Sequence, residues 1–299
     1  MQQTDFMYEL VIGEDCSTDN TLSICRSYQN KSPSKIKILA NKINLGLNLN
    51  FINTLKACKG QYIAYLEGDD HWKTSDKLQK QVDIMEQNPD ISLIHTNFCV
   101  HDIDNKTIIH NGFNFGGICP REINYGIESI CAEFEDRYRP IKASTCVYLS
   151  KAIREMLTKD YYLFANKEFP AQDFQLYQEM SLRGKFYFLD EETTVIGLHD
   201  SISAPKNREE KIKFALGVFK IGIYLIDKYK LPIKTLTIWF RKQIYIFQRF
   251  AISSGNTDEL SFVFIEAKKR GYYLNWRQKI KQGYIFLLSI YKKLKCSYF

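Results

Sequence analysis

The first hundred residues alternate short apolar runs with helical patterns, and this alternation constrains the fold more than any other feature of the sequence. Apolar runs predict strands at 8–13, 35–40, 62–67 and 91–102. Helical patterns begin near Thr21, fall within 41–60 and cover 73–89. Strands that alternate with helices of about 10–15 residues form βαβ units, so we predict an α/β fold with a largely parallel sheet.

Two acidic loops follow strands of this predicted sheet. GEDCSTD at 13–19 follows the first strand, and EGDD at 67–70 follows the third. Ligands of parallel α/β sheets bind outside the carboxyl ends of the strands, where both loops fall. Carboxylates this close raise each other's pKa. The residues alone allow two interpretations, a hydrated acidic turn or a site for a hard divalent cation such as Mg²⁺ or Mn²⁺.

The charge distribution predicts two domains. From Lys206 onward lie 20 of the 41 basic residues and only 6 of the 34 acidic residues, so this part carries about +14 and the first 205 residues about −7. We therefore predict an α/β domain over 1–205 and a basic, aromatic-rich helical region over 206–299. The helical patterns of the second part cover roughly 207–230, 232–254, 257–270 and 275–295.

Several classes of protein are disfavoured by the sequence. The eight cysteines show no CxxC or Cys/His metal spacing, which is typical of reduced thiols in a cytosolic protein. The acidic N-terminus has no apolar core of a signal peptide, and no segment has the 18 or so uncharged apolar residues of a spanning helix. No nucleic-acid motif accompanies the basic tail. We therefore expect a cytoplasmic protein that does not bind nucleic acid.

An ordered set of motifs resembles glycosyltransferase family 2. The set comprises EDxSxD at 14–19, NxG at 44–46, GxYI at 60–63, ExDD with Trp72, QD at 172–173 and LHDSIS at 198–203. The resemblance covers about residues 5–205. It implies a GT-A fold, that is, a Rossmann-like nucleotide-binding domain with a mixed, mainly parallel sheet, here followed by an all-helical C-terminal region.

The resemblance also implies an activity. Members of the family transfer a sugar from a nucleotide-sugar donor, most often a UDP-sugar, to a glycan or lipid-linked acceptor. For this chain it implies an inverting reaction that depends on Mn²⁺ or Mg²⁺ and serves bacterial surface polysaccharide synthesis. A cation of this kind neutralises the departing diphosphate, which carboxylates cannot contact directly.

Residue roles follow from the same resemblance. Asp69 corresponds to the metal ligand, with Glu67 facing the ribose and Asp70 facing the donor sugar or orienting the metal site. The predicted nucleotide contacts are Asp15, at the base, and Lys42, Asn44 and Gly46, around the base and ribose. For Asp15 a second reading is helix capping by the same loop, and for Lys42 it is a solvated lysine.

Two further residues complete the predicted site. Asp173 corresponds to the carboxylate that takes the proton from the acceptor hydroxyl, although an aspartate at a helix start is also a natural N-cap. His199 corresponds to a histidine that reaches the metal or the diphosphate, although a lone histidine is often structural. Gly197 stands where the family has arginine, which weakens the expected contact with the diphosphate on that side.

The N-terminus departs from the family pattern. The chain starts where the family has the end of its first helix, so the first strand and its nucleotide-contacting loop are not in the sequence. Strand 8–13 is then expected to have an unpaired side and the chain to aggregate readily. The alternative function is a non-catalytic relic that keeps the fold without a complete donor site. A nucleotidyltransferase is disfavoured because no Gly-rich basic triphosphate loop is present.

The basic helices allow two interpretations. Their mixture of Lys and Arg with Tyr, Trp, Phe and Ile suits an anionic membrane surface, which would place the protein peripherally at the inner face of the plasma membrane. The other interpretation is a helical bundle with solvated lysines.

Overall fold

The computed structural model describes residues 2–102, 107–110, 122–123, 130–131, 134, 141–170, 172–198 and 207–296. The chain divides into two compact units. One covers Met1–Ile130 and Arg137–Ile202, and the other covers Cys131–Asp136 and Ser203–Phe299.

The first unit begins with a small parallel sheet. Its strands are β1 (Leu10–Glu14) and β2 (Ile36–Ala40), joined through helix α1 (Thr21–Lys31). The Asp19 carboxylate accepts a hydrogen bond from the Thr21 N–H at 2.9 Å, which fixes the start of α1. Within the described residues, β1 pairs with β2 alone.

A second sheet of seven strands forms the centre of this unit. Its strands are β3 (Tyr62–Ala64), β4 (His71–Trp72), β5 (Ile91–Asp102), β6 (Thr107–Ile109), β7 (Glu122–Ile123), β8 (Val147–Leu149) and β9 (Lys185–Leu198). The helices of the unit are α2 (Leu47–Ala57), α3 (Lys77–Gln87), α4 (Ser150–Lys159), α5 (Tyr161–Ala165) and α6 (Gln172–Ser181).

This second sheet is mixed, as predicted. The order is β3-β8-β5-β9-β4, with β6 beside β5 and β7 beside β9. The two long strands, β5 and β9, run parallel. The antiparallel pairs each contain a strand of only two or three residues. Long parallel strands therefore form the centre of the sheet, and short strands extend it at both sides.

Apolar side chains pack α3 onto the larger sheet. Leu78 and Met85 of α3 contact Ile91, Ile94 and Val147, all of them buried. Phe6, from the segment before β1, joins this core partly buried. The chain between β3 and α3, which includes the acidic turn, is thus held between two packed elements.

The second unit is helical. Its helices are α7 (Arg208–Tyr229), α8 (Ile233–Ser254), α9 (Asp258–Lys269) and α10 (Trp276–Cys296). The rings of Phe219 in α7 and Trp239 in α8 stack at 5.2 Å between centroids, with 6° between their planes. Arg270, just after α9, pairs with Asp227 of α7 at 2.5 Å. Among the described residues, no helix has the length and apolar character needed to cross a bilayer.

Gly222 of α7 should be intolerant of a side chain. A Cβ at this position would lie 2.2 Å from the Trp239 indole. We expect Gly222→Ala to lower the free energy of unfolding by about 1–3 kcal/mol, because the stacked rings must shift. Gly283→Ala on α10 is the matched control, since its Cβ meets no atom within 4 Å, and it should stabilise the helix by up to about 1 kcal/mol. Urea unfolding of both variants tests this, and equal effects would contradict it.

Candidate functional site

The acidic turn lies in the connection from β3 to β4, the two outermost strands of the order β3-β8-β5-β9-β4. Carboxylate oxygens of Glu67, Asp69 and Asp70 lie within 4.8 Å of one another. The Asp70 N–H donates to the Glu67 carbonyl at 3.2 Å and closes the turn. The predicted strand over 62–67 therefore ends earlier, at Ala64, because the last residues bend to bring the three carboxylates together.

Ser144 holds this turn in place. The hydroxyl of Ser144 accepts a hydrogen bond from the Glu67 N–H at 3.0 Å, and its carbonyl accepts one from the Trp72 indole at 2.8 Å. From the other side, the Gly197 N–H of β9 donates to Asp70 Oδ1 at 3.2 Å. The position of the turn is thus set by Ser144, in the short 3-10 turn Ala143–Thr145, and by the backbone of β9 at Gly197.

The electrostatics of the turn favour a bound cation. Burial, and then the charges of Asp70, Asp69 and Asp173, raise the pKa of Glu67 to about 7, although its side chain keeps contact with solvent. Burial also raises the pKa of Asp70. Asp70 Oδ2 is buried and has no hydrogen-bond partner among the described residues. A hard divalent cation would satisfy this oxygen and relieve the repulsion, so the three carboxylates fit Mn²⁺ or Mg²⁺.

Asp173 acts electrostatically on the same carboxylates. It is the second residue of α6, and its Oδ1 accepts a hydrogen bond from the Phe174 N–H at 2.8 Å. Its charge raises the pKa of Glu67, which places the two side chains within electrostatic reach. Asp173 as a residue is exposed to solvent, yet the protein around its carboxyl group raises its pKa by desolvation. Asp173 therefore lies in the first turn of α6, and its charge reaches the acidic turn.

Asp15 belongs to a separate, hydrogen-bonded loop. Its Oδ1 accepts from the Leu45 N–H at 2.8 Å and the Asn41 amide at 2.9 Å, and its Oδ2 accepts from the Gly46 N–H at 2.8 Å. The Asn44 amide donates to the Asp15 carbonyl at 3.0 Å. Gly46 has φ +81°, which favours glycine there. Asp15, Asn44 and Gly46 are thus brought together in one loop, which Asp15 orders, and their roles at the base and ribose stay predictions.

The predicted roles of two site residues, Lys42 and His199, are not tested by the structure. The Lys42 side chain is exposed, and its carbonyl lies 3.8 Å from the Cys16 sulfur. Its role at the base stays a prediction. His199 lies outside the described residues, so its predicted role at the metal stays a prediction too.

The structure adds residues to the site that the sequence reasoning did not identify. Lys142 lowers the pKa of Glu67, Asp70 and Asp173 through its charge, so it lies within electrostatic reach of the acidic group. Burial and the surrounding carboxylates push the pKa of Tyr65 well above its ordinary value. Ser144 is the third addition. Lys142 and Ser144 lie far from the acidic motifs in sequence, whereas Tyr65 stands two residues before Glu67 in an apolar run, and no motif marks any of the three.

A buried lysine lies behind the turn. Lys77 is fully buried and donates to Gln81 Oε1 at 2.5 Å, while Gln81 donates to the Thr145 carbonyl at 3.0 Å. The Lys77 ammonium lies 4.7 Å from the centroid of the Trp72 ring. Burial lowers its pKa to about 7. Lys77 and Gln81 therefore support Trp72 and the strand next to Ser144.

The raised pKa of Glu67 predicts a pH-dependent stability. The folded protein holds this proton more tightly than the unfolded chain, so metal-free protein should lose stability as the pH rises from about 4.5 through about 7. Glu67→Gln should flatten this part of the profile and raise the Tm at pH 8. Glu209→Gln, at an exposed carboxylate of α7, is the control and should leave the profile unchanged. Thermal melts in chelator between pH 4.5 and 8 test this, and an unchanged profile for Glu67→Gln would contradict it.

Several known proteins are similar to this chain in sequence. A glucosyltransferase of Escherichia coli, UDP-Glc:alpha-D-GlcNAc-diphosphoundecaprenol beta-1,3-glucosyltransferase WfgD, is 31% identical over 125 residues, or 42% of this chain and 45% of that protein. An uncharacterized glycosyltransferase of Haemophilus influenzae is 27% identical over 248 residues, or 82% of this chain and 73% of that protein. Mycobacterial relatives match at 35% identity, but the match spans only 28% of their length.

A solved structure shows the same fold at low identity. The mannosyltransferase PcManGT of Pyrobaculum calidifontis, in complex with GDP-Man and Mn²⁺, superposes with a TM-score of 0.51 at 12% identity, covering 97% of this chain and 80% of that one. The family model described as "Glycosyl transferase family 2" matches residues 1–161, more than half of the chain. The chain therefore belongs to glycosyl transferase family 2.

Proposed function

We propose that this protein is an inverting, metal-dependent glycosyltransferase that moves a sugar from a UDP-sugar to a glycan or lipid-linked acceptor in bacterial surface polysaccharide synthesis. The observation that carries the proposal is the group of three carboxylates at Glu67, Asp69 and Asp70, with the charge of Asp173 close enough to raise the pKa of Glu67. The E. coli relative named for UDP-Glc supports the choice of donor. Residues 1–205 would form the catalytic domain and 206–299 the helical region, with the protein at the cytoplasmic face of the membrane.

The acidic turn would hold the cation. Mn²⁺ or Mg²⁺ would supply the positive charge that the leaving diphosphate needs. Asp69 would be the first ligand, Asp70 would orient the site or face the donor sugar, and Glu67 would face the ribose. His199 is a further candidate ligand. The Mn²⁺ in the Pyrobaculum complex supports a divalent ion at a site of this fold.

The ordered loop would receive the nucleoside. Its backbone and side chains, at Asp15, Lys42, Asn44 and Gly46, would surround the base and the ribose. Because Asp15 already accepts three hydrogen bonds from the loop, its main effect would be to keep Leu45 and Gly46 in position, with contact to the base as a second role.

Asp173 would act on the acceptor. As the acceptor oxygen bonds to the anomeric carbon, the bond from that carbon to the diphosphate oxygen breaks, and the configuration inverts. The acceptor proton passes to the Asp173 carboxylate. A pKa above the ordinary value makes this carboxylate a better base once it is ionised. The charge of Lys142 lowers the pKa of Asp173 and would favour its ionised form at the start of the reaction.

A nucleotide titration tests the proposal directly. The full chain is titrated with UDP in the presence of Mn²⁺ and again in EDTA, and UDP release from UDP-glucose and UDP-GlcNAc is then measured with Mn²⁺. We expect UDP to bind only with the metal present. An equal affinity for UDP in EDTA would show that nucleotide binding does not depend on the metal, and the metal dependence in the proposal would be wrong. The failure of UDP, and of GDP titrated in the same way, to bind with Mn²⁺ present would favour a relic without a donor site.

A further inference from the structure

Helix α10 presents an apolar face to solvent. Ile280, Tyr284, Leu287 and Ile290 follow one another at spacings of four, three and three residues, which places them on one side of the helix. Their exposed fractions are 65%, 61%, 66% and 41%. Ile285, on the opposite side, is 1% exposed and packs into the protein. The four residues are called here the outer face of α10.

The same helix carries only positive charge. It contains six basic residues and no acidic residue: Arg277, Lys279, Lys281, Lys292, Lys293 and Lys295. Lys279 and Lys281 flank the outer face and are exposed. The Lys281 ammonium also lies 5.4 Å from the centroid of the Tyr245 ring of α8, so one flank of the helix is tied to its neighbour. The outer face is thus an apolar stripe bordered by cations.

The charge decides among the possible occupants of this face. A second copy of the chain would bring two wholly basic helices together, and like charges at close range oppose that contact. Insertion across a bilayer does not suit a helix with six charges, and no described helix qualifies as a span. An anionic lipid surface suits both the apolar outer face and the positive charge of the helix. Apolar and aromatic side chains enter the boundary between headgroups and acyl chains, while lysines reach the phosphates.

We propose that α10 binds the surface of an anionic lipid bilayer through its outer face, lying in the plane of the membrane. The proposal goes beyond the transfer reaction, because it assigns a lipid-binding surface to a helix that carries none of the candidate site residues. It also explains why the four residues of the outer face are exposed although three of them are aliphatic and one is aromatic.

Vesicle flotation tests the proposal on the full chain. The probes are vesicles of phosphatidylcholine alone and vesicles with about one third phosphatidylglycerol. We expect at least about tenfold tighter binding to the anionic vesicles, and weaker binding at high salt. Equal affinity for the two vesicle types, or no binding to either, would overturn the proposal.

Paired variants separate the outer face from the rest of the surface. Ile280→Gln with Leu287→Gln should weaken binding to anionic vesicles at least about tenfold. Ile238→Gln with Ile265→Gln, at exposed apolar positions of α8 and α9, should change it less than twofold. Lys279→Gln with Lys281→Gln should also weaken binding about tenfold, whereas Lys211→Gln with Lys213→Gln on α7 should not.

Two further readouts keep the test specific. Melting curves of the outer-face variants should match the parent protein, and UDP binding should be unchanged, so a failure of the transfer proposal and a failure of this one are distinguishable. If the parent protein dimerises and the outer-face variants become monomers without any loss of vesicle binding, the face is a contact between copies and the lipid proposal is wrong.

Discussion

Replacing Asp173 by asparagine should lower the rate of sugar transfer by about 10²–10⁴-fold, the usual contribution of a general base. Asparagine keeps the size of the side chain and an oxygen that can accept from the Phe174 N–H, so the first turn of α6 should persist. The affinity for UDP should stay within about twofold, because the role assigned to Asp173 concerns the acceptor proton. The measurements are initial rates of UDP release with acceptor and a UDP titration.

Asp160→Asn is the matched control for this variant. Asp160 lies in the same unit and accepts a hydrogen bond from the Leu163 N–H at 3.1 Å at the start of α5, away from the acidic turn. It should leave transfer within about threefold, since Asn is as good a cap as Asp. A loss of less than tenfold for Asp173→Asn would assign Asp173 to the helix start alone.

The pH profile gives a second readout for Asp173. The charge of Lys142 lowers the pKa of Asp173, so Lys142→Met should raise that pKa. The acidic limb of the pH–rate profile should therefore move to higher pH in Lys142→Met. In Asp173→Asn that limb should be lost from the residual rate. A merely structural role for Asp173 would leave the position of the limb unchanged in both variants.

The C-terminal helices and several strands of the α/β sheet could be predicted because local sequence patterns determine where they begin and end. The helices predicted at 207–230, 232–254 and 257–270 lie at Arg208–Tyr229, Ile233–Ser254 and Asp258–Lys269, where Asn207, Gly255 and the residues after Lys269 provide the usual ends. The mixed α/β sheet is confirmed as well. β3 lies within the strand predicted at 62–67, but β4, β6 and β7 were not predicted, because a run of two or three residues has no periodicity to recognise.

The carboxylates of the acidic turn could be predicted from the sequence, but the buried polar pair behind the turn could not. Glu67, Asp69 and Asp70 are close in sequence, so their proximity needs no tertiary information. Lys77 and Gln81 lie on a helix that is polar in sequence, and both are fully buried. Only the folded structure shows that they satisfy each other and the Thr145 carbonyl. Polar residues inside a core are determined by tertiary pairing, which a hydrophobic pattern does not encode.

Asp15 orders the loop at 44–46 and does not bond the start of α1. The sequence allowed contact with the base for Asp15 together with capping of α1 by the same loop. In the structure, Asp19 rather than Asp15 bonds the first turn of α1, and Asp15 binds the loop at 44–46 instead. The motif NxG is thus coupled to EDxSxD by direct hydrogen bonds. Two motifs about thirty residues apart act as one loop, and this coupling could not be derived from either motif alone.

Replacing Asp69 by asparagine should lower the affinity for UDP in the presence of Mn²⁺ at least about 100-fold. Loss of an outer-shell partner already weakens metal binding 10–100-fold, and a direct ligand should matter at least as much. Asparagine removes one negative charge from a site whose other two carboxylates have raised pKa values, so the remaining charge attracts a cation less strongly. The turn should keep its shape, since its hydrogen bonds run through Glu67, Asp70 and Ser144.

Asp83→Asn is the control for this last variant. Asp83 is an exposed carboxylate of α3 that accepts a hydrogen bond from Gln79 at 2.8 Å, outside the acidic turn. It should leave the affinity for UDP within about twofold. Mn²⁺ binding alone, followed by electron paramagnetic resonance, should weaken in Asp69→Asn and not in Asp83→Asn. If Asp69→Asn bound both Mn²⁺ and UDP as tightly as the parent protein, the metal would have to be held elsewhere, and the assignment of Asp69 as its ligand would be wrong.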